Sequence, residues 1–203
     1  MRTIRLLALL LCGACGADVA PPGDGDGGAD LDAGAVIDAP PGGAIDAPPV
    51  VGEPPGLEGT VAAHNAERAL VGVGPLTWDP ALAAIADAWV RQCVDNQAPT
   101  GLVDHNAGRS NGYPTYVGEN IYGAGGQASG TAATASWIRE KQYYHRDTNS
   151  CDAGRVCGHY TQVVWRNTTK IGCALYNCAG FQYGSTVVCN YGPGGNVGGQ
   201  PPY

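Results

Sequence analysis

Six cysteines fall between Cys93 and Cys189: Cys93, Cys151, Cys157, Cys173, Cys178 and Cys189. An even set in an exported chain reads as three disulfides, and these restrict the fold more than any other feature. Spacing alone leaves the connectivity open. Bridged cysteines also argue against a cysteine nucleophile, which needs a free thiol.

Export is read from MRTIRLLALLLCGACGADVA. Arg2 and Arg5 open it, an apolar run covers Leu6 to Leu11, and small residues follow. Residues 1–15 therefore read as a signal peptide, whose apolar run is too short to span a bilayer. Cys12-Gly13-Ala14-Cys15 resembles a bacterial lipobox, with Ala14 before the cysteine and Cys12 at the usual leucine position. On that reading Cys15 is lipidated and tethers the chain to the outer membrane. Ordinary cleavage that discards both cysteines is the alternative.

Residues 16–56 contain only Gly, Ala, Pro, Asp, Val, Ile, Leu and Glu, and Ile-Asp-Ala-Pro-Pro occurs at Ile37 and again at Ile45. With little to bury, this stretch reads as a disordered linker spanning about 35 Å as a coil. It also holds most of the chain's net negative charge. Of 18 acids, eight precede Leu57, and the remaining ten face nine Lys/Arg, so residues 57–203 are near neutral. Such a domain offers no basic footprint for nucleic acid.

Leu57 to Tyr203 is long enough for one domain with a real core. Helical spacing covers Leu57–Val71, with Val61, Ala62, Asn65, Ala66, Ala69 and Leu70 predicted on one side. Asp79-Pro80 opens a second helix, carrying Leu82, Ile85, Ala86, Trp89, Val90 and Cys93. A third is expected between Ala132 and Tyr144. Lys170–Tyr176 and Phe181–Tyr191 read as a hairpin, and Val117–Tyr122 as a weaker strand. The run from His159 to Trp165 fits a short helix or a strand. Helices first and strands last predict an α+β fold.

Four motifs then occur in order: His64-Asn65-Ala66-Glu67-Arg68, Gly118-Glu119-Asn120-Ile121, Gly158-His159-Tyr160-Thr161-Gln162-Val163-Val164-Trp165, and Cys189-Asn190-Tyr191 followed by Pro193 and Asn196. Together they closely resemble the CAP superfamily of cysteine-rich secretory proteins, insect venom allergen 5 and plant pathogenesis-related protein 1. The plant branch is nearest, through Gly74-Pro75-Leu76-Thr77-Trp78-Asp79 and Cys157 to Asn167. The resemblance covers residues 57–203 and implies a three-layer α-β-α sandwich. It also implies the pairs Cys93–Cys178, Cys151–Cys157 and Cys173–Cys189.

The family often carries a cleft with two histidines and two acids. Carried over residue by residue, these are His159, Glu119, Glu140 (three after Trp137) and His105. Around His105 the chain departs from the pattern: Asp104 precedes it, Asn106 replaces a serine, and residues 107–116 lengthen the loop to Gly118. Two imidazoles, His105 and His159, could hold zinc or magnesium, with the carboxylates acting directly or through water. The sequence shows no H-E-x-x-H. The leading expectation is a non-enzymatic exported module with no required cofactor. It would bind a sterol, a fatty acid or a surface partner in the His/Glu cleft. The alternative is a metal-dependent protease or esterase using His159, Glu119 and Glu140. His64 and Arg68 read as a structural polar network. The end, Pro193 to Tyr203, fits the P-x-G-N-x5-P-Y pattern of a peptide that plants release from such proteins. It reads here as an ordinary domain terminus, poorly ordered and easily cut.

Overall fold

The computed structural model describes residues 18–19, 52–98 and 100–203; the expectations for the signal peptide, Cys15 and most of the linker lie outside them. The helices are α1 (Thr60–Leu70), α2 (Pro80–Val90), α3 (Gly130–Arg139) and α4 (Gly158–Val163). A 3-10 turn at Glu140–Tyr143 continues α3, so the expected third helix ends in a change of pitch. Among the described residues, five strands form the main sheet: β1 (Asp18–Val19), β2 (Thr77–Trp78), β3 (Gly118–Ala124), and the long β6 (Lys170–Asn177) and β7 (Ser185–Gly192). Between β3 and β6, β4 (Tyr144–His145) and β5 (Ser150–Cys151) make a separate two-stranded ribbon. The main order is β1-β3-β7-β6-β2, with β3, β7 and β6 antiparallel and both two-residue edge strands parallel to their neighbours.

Strand alternation builds two cores from one sheet. Ile171, Cys173, Val187, Cys189 and Tyr191 point into a core shared with Leu57, Val61, Trp137, Tyr160 and Val163. Ala174 and Val188 point the other way, against Ala86, Val90, Leu102 and Ile121. With α1, α3 and α4 on one face and α2 on the other, the expected three-layer sandwich is present. The three expected disulfides are present too: Cys93–Cys178, Cys151–Cys157 and Cys173–Cys189.

Local chemistry explains the element boundaries. Asp79 caps α2, its Oδ1 accepting from the Ala81 and Leu82 N–H groups at 2.8 and 3.2 Å, and Pro80 occupies the first turn. The run after Cys157 resolves as helix α4. β7 begins at Ser185, later than the expected Phe181, because the disulfide draws Cys178 towards α2. Its N–H then bonds to the Gly184 carbonyl, closing a loop. The folded domain also extends upstream of Leu57. Gly52 lies so close to Trp78 that a Cβ would sit 2.9 Å from Cδ1. Glu53 accepts from the N–H groups of Gly59 (2.8 Å) and Val61 (2.6 Å).

Helix α1 corrects the expected apolar face. Its buried residues are Thr60, Val61, His64, Glu67 and Arg68, while Leu70 is 75% exposed. The buried stripe is polar because its groups are hydrogen-bonded: Arg68 donates to the carbonyls of Gly74, Val163, Trp165 and Thr168 at 2.7–3.0 Å. The C-terminal segment is likewise docked. Gly194 N–H donates to Tyr116 O, Gly195 N–H to Gln162 Oε1, Arg166 N–H to Pro202 O, and Tyr203 hydroxyl meets that of Tyr160.

Candidate functional site

The four cleft candidates form two histidine–carboxylate pairs. His159 opens α4, directly after the Cys151–Cys157 bridge. Its Nδ1 lies 2.6 Å from Glu140 Oε1, and Glu140 Oε2 accepts from the backbone N–H groups of His159 (2.9 Å) and Tyr160 (3.0 Å). Cys157, at the N-cap, supplies no side-chain cap to the helix. Glu140 therefore caps α4 from another element, an acid at a helix start where the backbone favours it. Both side chains are almost fully buried, and Trp137 lies nearly parallel to the His159 ring at 6.3 Å.

The second pair joins a loop residue, His105, to Glu119 on β3. His105 Nδ1 is 2.7 Å from Glu119 Oε1, which also accepts from Asn106 N–H at 2.9 Å. Glu119 is fully enclosed, whereas the His105 side chain is 27% exposed. On the far side, the Asn190 amide, turned to its better-bonded orientation, donates to Glu119 Oε2 at 3.3 Å. The long loop that departs from the family pattern is pinned in place. Arg109 donates to Asn106 O, Val117 O and the Tyr116 hydroxyl.

The pleat of β3 turns Glu119 and Asn120 to opposite faces. Glu119 shares its face with Ile121, towards α2; Asn120 faces the other core and donates to the His159 carbonyl at 3.1 Å. Two consecutive residues of β3 thus reach the two pairs, Glu119 to His105 and Asn120 to His159. In both pairs Nδ1 meets the carboxylate, the arrangement that fixes a metal-ligating imidazole. His105 Nε2 is buried without a hydrogen-bond partner among the described residues. However, no group of three or more His, Cys, Asp or Glu among them is arranged to hold a metal ion. Zinc or magnesium would have two imidazole donors and would need solvent or ligand oxygen for the rest.

Behind His159 runs a buried network that single motifs did not reveal. His64 Nδ1–H donates to Thr60 O (2.8 Å), and its Nε2 accepts from the Tyr191 hydroxyl (2.9 Å). That hydroxyl accepts from Asn120 Nδ2 (3.1 Å), which also reaches the His159 carbonyl. Burial outweighs the Thr60 bond and, with Arg68 nearby, lowers the His64 pKa to about 4. The four motifs are therefore one connected structure: His64, Asn120, His159 and Tyr191 each supply one link. The signal in the sequence was their shared order, not any one residue type.

An apolar groove lies along β6. It measures about 350 Å³ and runs between α2 and the upstream strap, lined by Pro54, Pro55, Leu57, Ala84, Ala174 and Leu175, with Asp87 and Arg91 at its rim. No histidine lines it.

Comparison with known proteins agrees with this architecture. A model of the cysteine-rich secretory protein family matches residues 61–191. Pathogenesis-related protein 1B of Nicotiana tabacum is 48% identical over 142 residues, covering 70% of this chain and 77% of that protein. Pathogenesis-related protein 1 of Arabidopsis thaliana is 44% identical over 144 residues, covering 70% and 80%. Venom allergen-like protein 4 of Schistosoma mansoni shares the fold at 24% identity and a TM-score of 0.54, covering 74% of this chain and 94% of that one. The chain belongs to the cysteine-rich secretory protein family, with a domain of the pathogenesis-related protein 1 type.

Proposed function

We propose that the protein is an exported, non-enzymatic binding module for a lipid, a sterol or fatty acid, or for a surface partner. The observation that carries this reading is how the carboxylates are used. Glu140 holds a helix start and an imidazole, and Glu119 holds an imidazole and a backbone N–H. Their lone pairs fix a scaffold and do not point at an open reaction centre. The six domain cysteines are bridged, so no thiolate is at hand. For a lipid tail, the β6 groove supplies apolar lining. For a polar headgroup or partner, the partly exposed His105 supplies a fixed imidazole. A divalent metal is optional and would bind through His105 and His159.

Export is supported by the family's secretory character and by the bridged cysteines. Anchoring through Cys15 to an outer membrane is part of the proposal. The two relatives at 44% and 48% identity are plant proteins, so a bacterial source rests on the lipobox-like run alone.

Titration of the mature protein with fluorescent sterol and fatty acid tests the reading. Saturable binding is expected, abolished in Ala84→Trp, which fills the groove, and retained in His159→Ala. Absence of binding for every lipid removes the lipid half. Turnover of peptide or ester libraries with zinc or magnesium, lost in His159→Ala, would replace the proposal with a metal-dependent hydrolase.

A further inference from the structure

Strand β6 has an open outer edge. β2 pairs only with Lys170 and Ile171, and the Asp79 N–H donates to the Ile171 carbonyl. By alternation, the backbone N–H and C=O groups of Cys173 and Leu175 point the same way, away from β7. The approach of Cys173 to Cys189 agrees. These directly opposed residues lie 4.1 Å apart at Cα, the spacing of a pair that exchanges no backbone hydrogen bonds. Nothing among the described residues bonds to the four outward groups. Cys173 is buried, and buried backbone groups in folded proteins are paired.

The groove of about 350 Å³ runs along this edge, lined by Cys173, Ala174 and Leu175 in succession. Pro54 and Pro55 flank it and have no N–H to offer the ladder. The other wall is α2, and Arg91 follows its last residue. Arg91 Nε donates to Asp87 Oδ2 at 2.8 Å, and its guanidinium lies over the Tyr176 ring at 5.0 Å. The two terminal nitrogens make no hydrogen bond among the described residues. Held on two sides, the side chain presents the planar fork that suits a carboxylate. Tyr176 follows Leu175 directly, so this fork stands at the end of the open edge.

We propose that the outer edge of β6 receives an extended peptide carrying a carboxylate, which adds a short strand to the sheet and is clamped by Arg91. The inference rests on the surface-partner half of the reading above and names the partner's chemistry. An acyl chain would fill the groove but leave the outward groups of Cys173 and Leu175 unpaired. An extended backbone fills it and pairs them, since an unpaired strand edge is a template for another strand. Backbone pairing accepts many sequences, and Arg91 adds the selection for negative charge.

Hydrogen exchange on the mature, unlipidated full chain tests this first without a ligand. The Cys173 and Leu175 amides should exchange about tenfold faster than those of Ala174 and Tyr176, which face β7. Equally slow exchange at all four overturns the proposal, by giving the edge to a second copy or to another part of this chain. The probe is then a library of acetylated hexapeptides of Val, Ile, Thr and Tyr. One arm has a free C-terminal carboxylate; the other is amidated and carries one Asp. Members should bind and slow exchange at Cys173 and Leu175. Amidated peptides without Asp should bind about fivefold more weakly, and Arg91→Ala should erase that difference. The arm that responds to Arg91→Ala tells a terminal carboxylate from a side-chain one. No binding by any peptide, or equal binding with and without a carboxylate, overturns the inference. Fatty acid or sterol binding that no peptide displaces also overturns it, while leaving the lipid half of the earlier reading in place.

Discussion

His64 shows how one residue sets the conditions under which the whole network exists. Its Nδ1–H is used by the Thr60 carbonyl, so its Nε2 must be an acceptor for the Tyr191 hydroxyl, which in turn accepts from Asn120. Protonation would put a second donor where the network supplies one. Burial, the dominant cause, and Arg68 lower its pKa from 6.5 to about 4. The native state therefore binds fewer protons than the unfolded chain between these values. Stability from this group is fully present above pH 6.5 and is lost as pH falls towards 4. The loss amounts to about 3 kcal/mol at pH 4. Urea unfolding of native and His64→Gln chains between pH 7 and 4 checks this. The variant is expected to be less stable at pH 7 but to fall less steeply with acid. Parallel slopes would show that His64 does not carry the effect.

Among the elements, helices α1 and α4 share one device. Neither N-cap residue, Gly59 or Cys157, makes a side-chain cap; a glutamate from elsewhere does it, Glu53 for α1 and Glu140 for α4. A cap reaching across the chain cannot be found by reading Ser, Thr, Asp or Asn at a helix start, as Asp79 could for α2. For that reason the family motif located Glu140, while residue chemistry alone gave it no role, and Glu53 passed as linker charge. The face of α1 was hidden for a related reason. Apolar periodicity favoured Leu70, but the carbonyls of Val163, Trp165 and Thr168 needed the guanidinium of Arg68. Strands β3, β6 and β7 were legible because β-branched and aromatic residues alternate into two cores. Which residue of β3 serves which His–Glu pair was not, since it depends on the face that each consecutive side chain takes. The α1 assignment has a direct check. Arg68→Lys replaces a planar fork with a point charge and strands buried carbonyls, costing about 3 kcal/mol in urea unfolding. Leu70→Gln, at an exposed site, changes stability by at most about 0.5 kcal/mol. The reverse ranking would restore the apolar face.

At the scale of the molecule, the three disulfides divide the task of holding the sandwich together. Cys93–Cys178 ties α2 to the far end of the sheet across 85 residues, Cys173–Cys189 joins β6 to β7 across 16, and Cys151–Cys157 closes six just before α4. If each acts by restricting the unfolded chain, paired Cys→Ala replacement costs about 4.5, 3 and 2 kcal/mol in that order. Urea midpoints at constant denaturant slope give the comparison. Departure from the order would be informative in one direction especially. Cys157 is buried and sits two residues before His159, whose N–H and ring both reach Glu140. Should the shortest loop cost the most, its bridge would be acting on the native state, by presenting the first turn of α4 to Glu140. A cost near 2 kcal/mol would instead mean that Glu140, Asn120 and the buried network are sufficient to set His159, with the covalent link a supplement to hydrogen bonds already made.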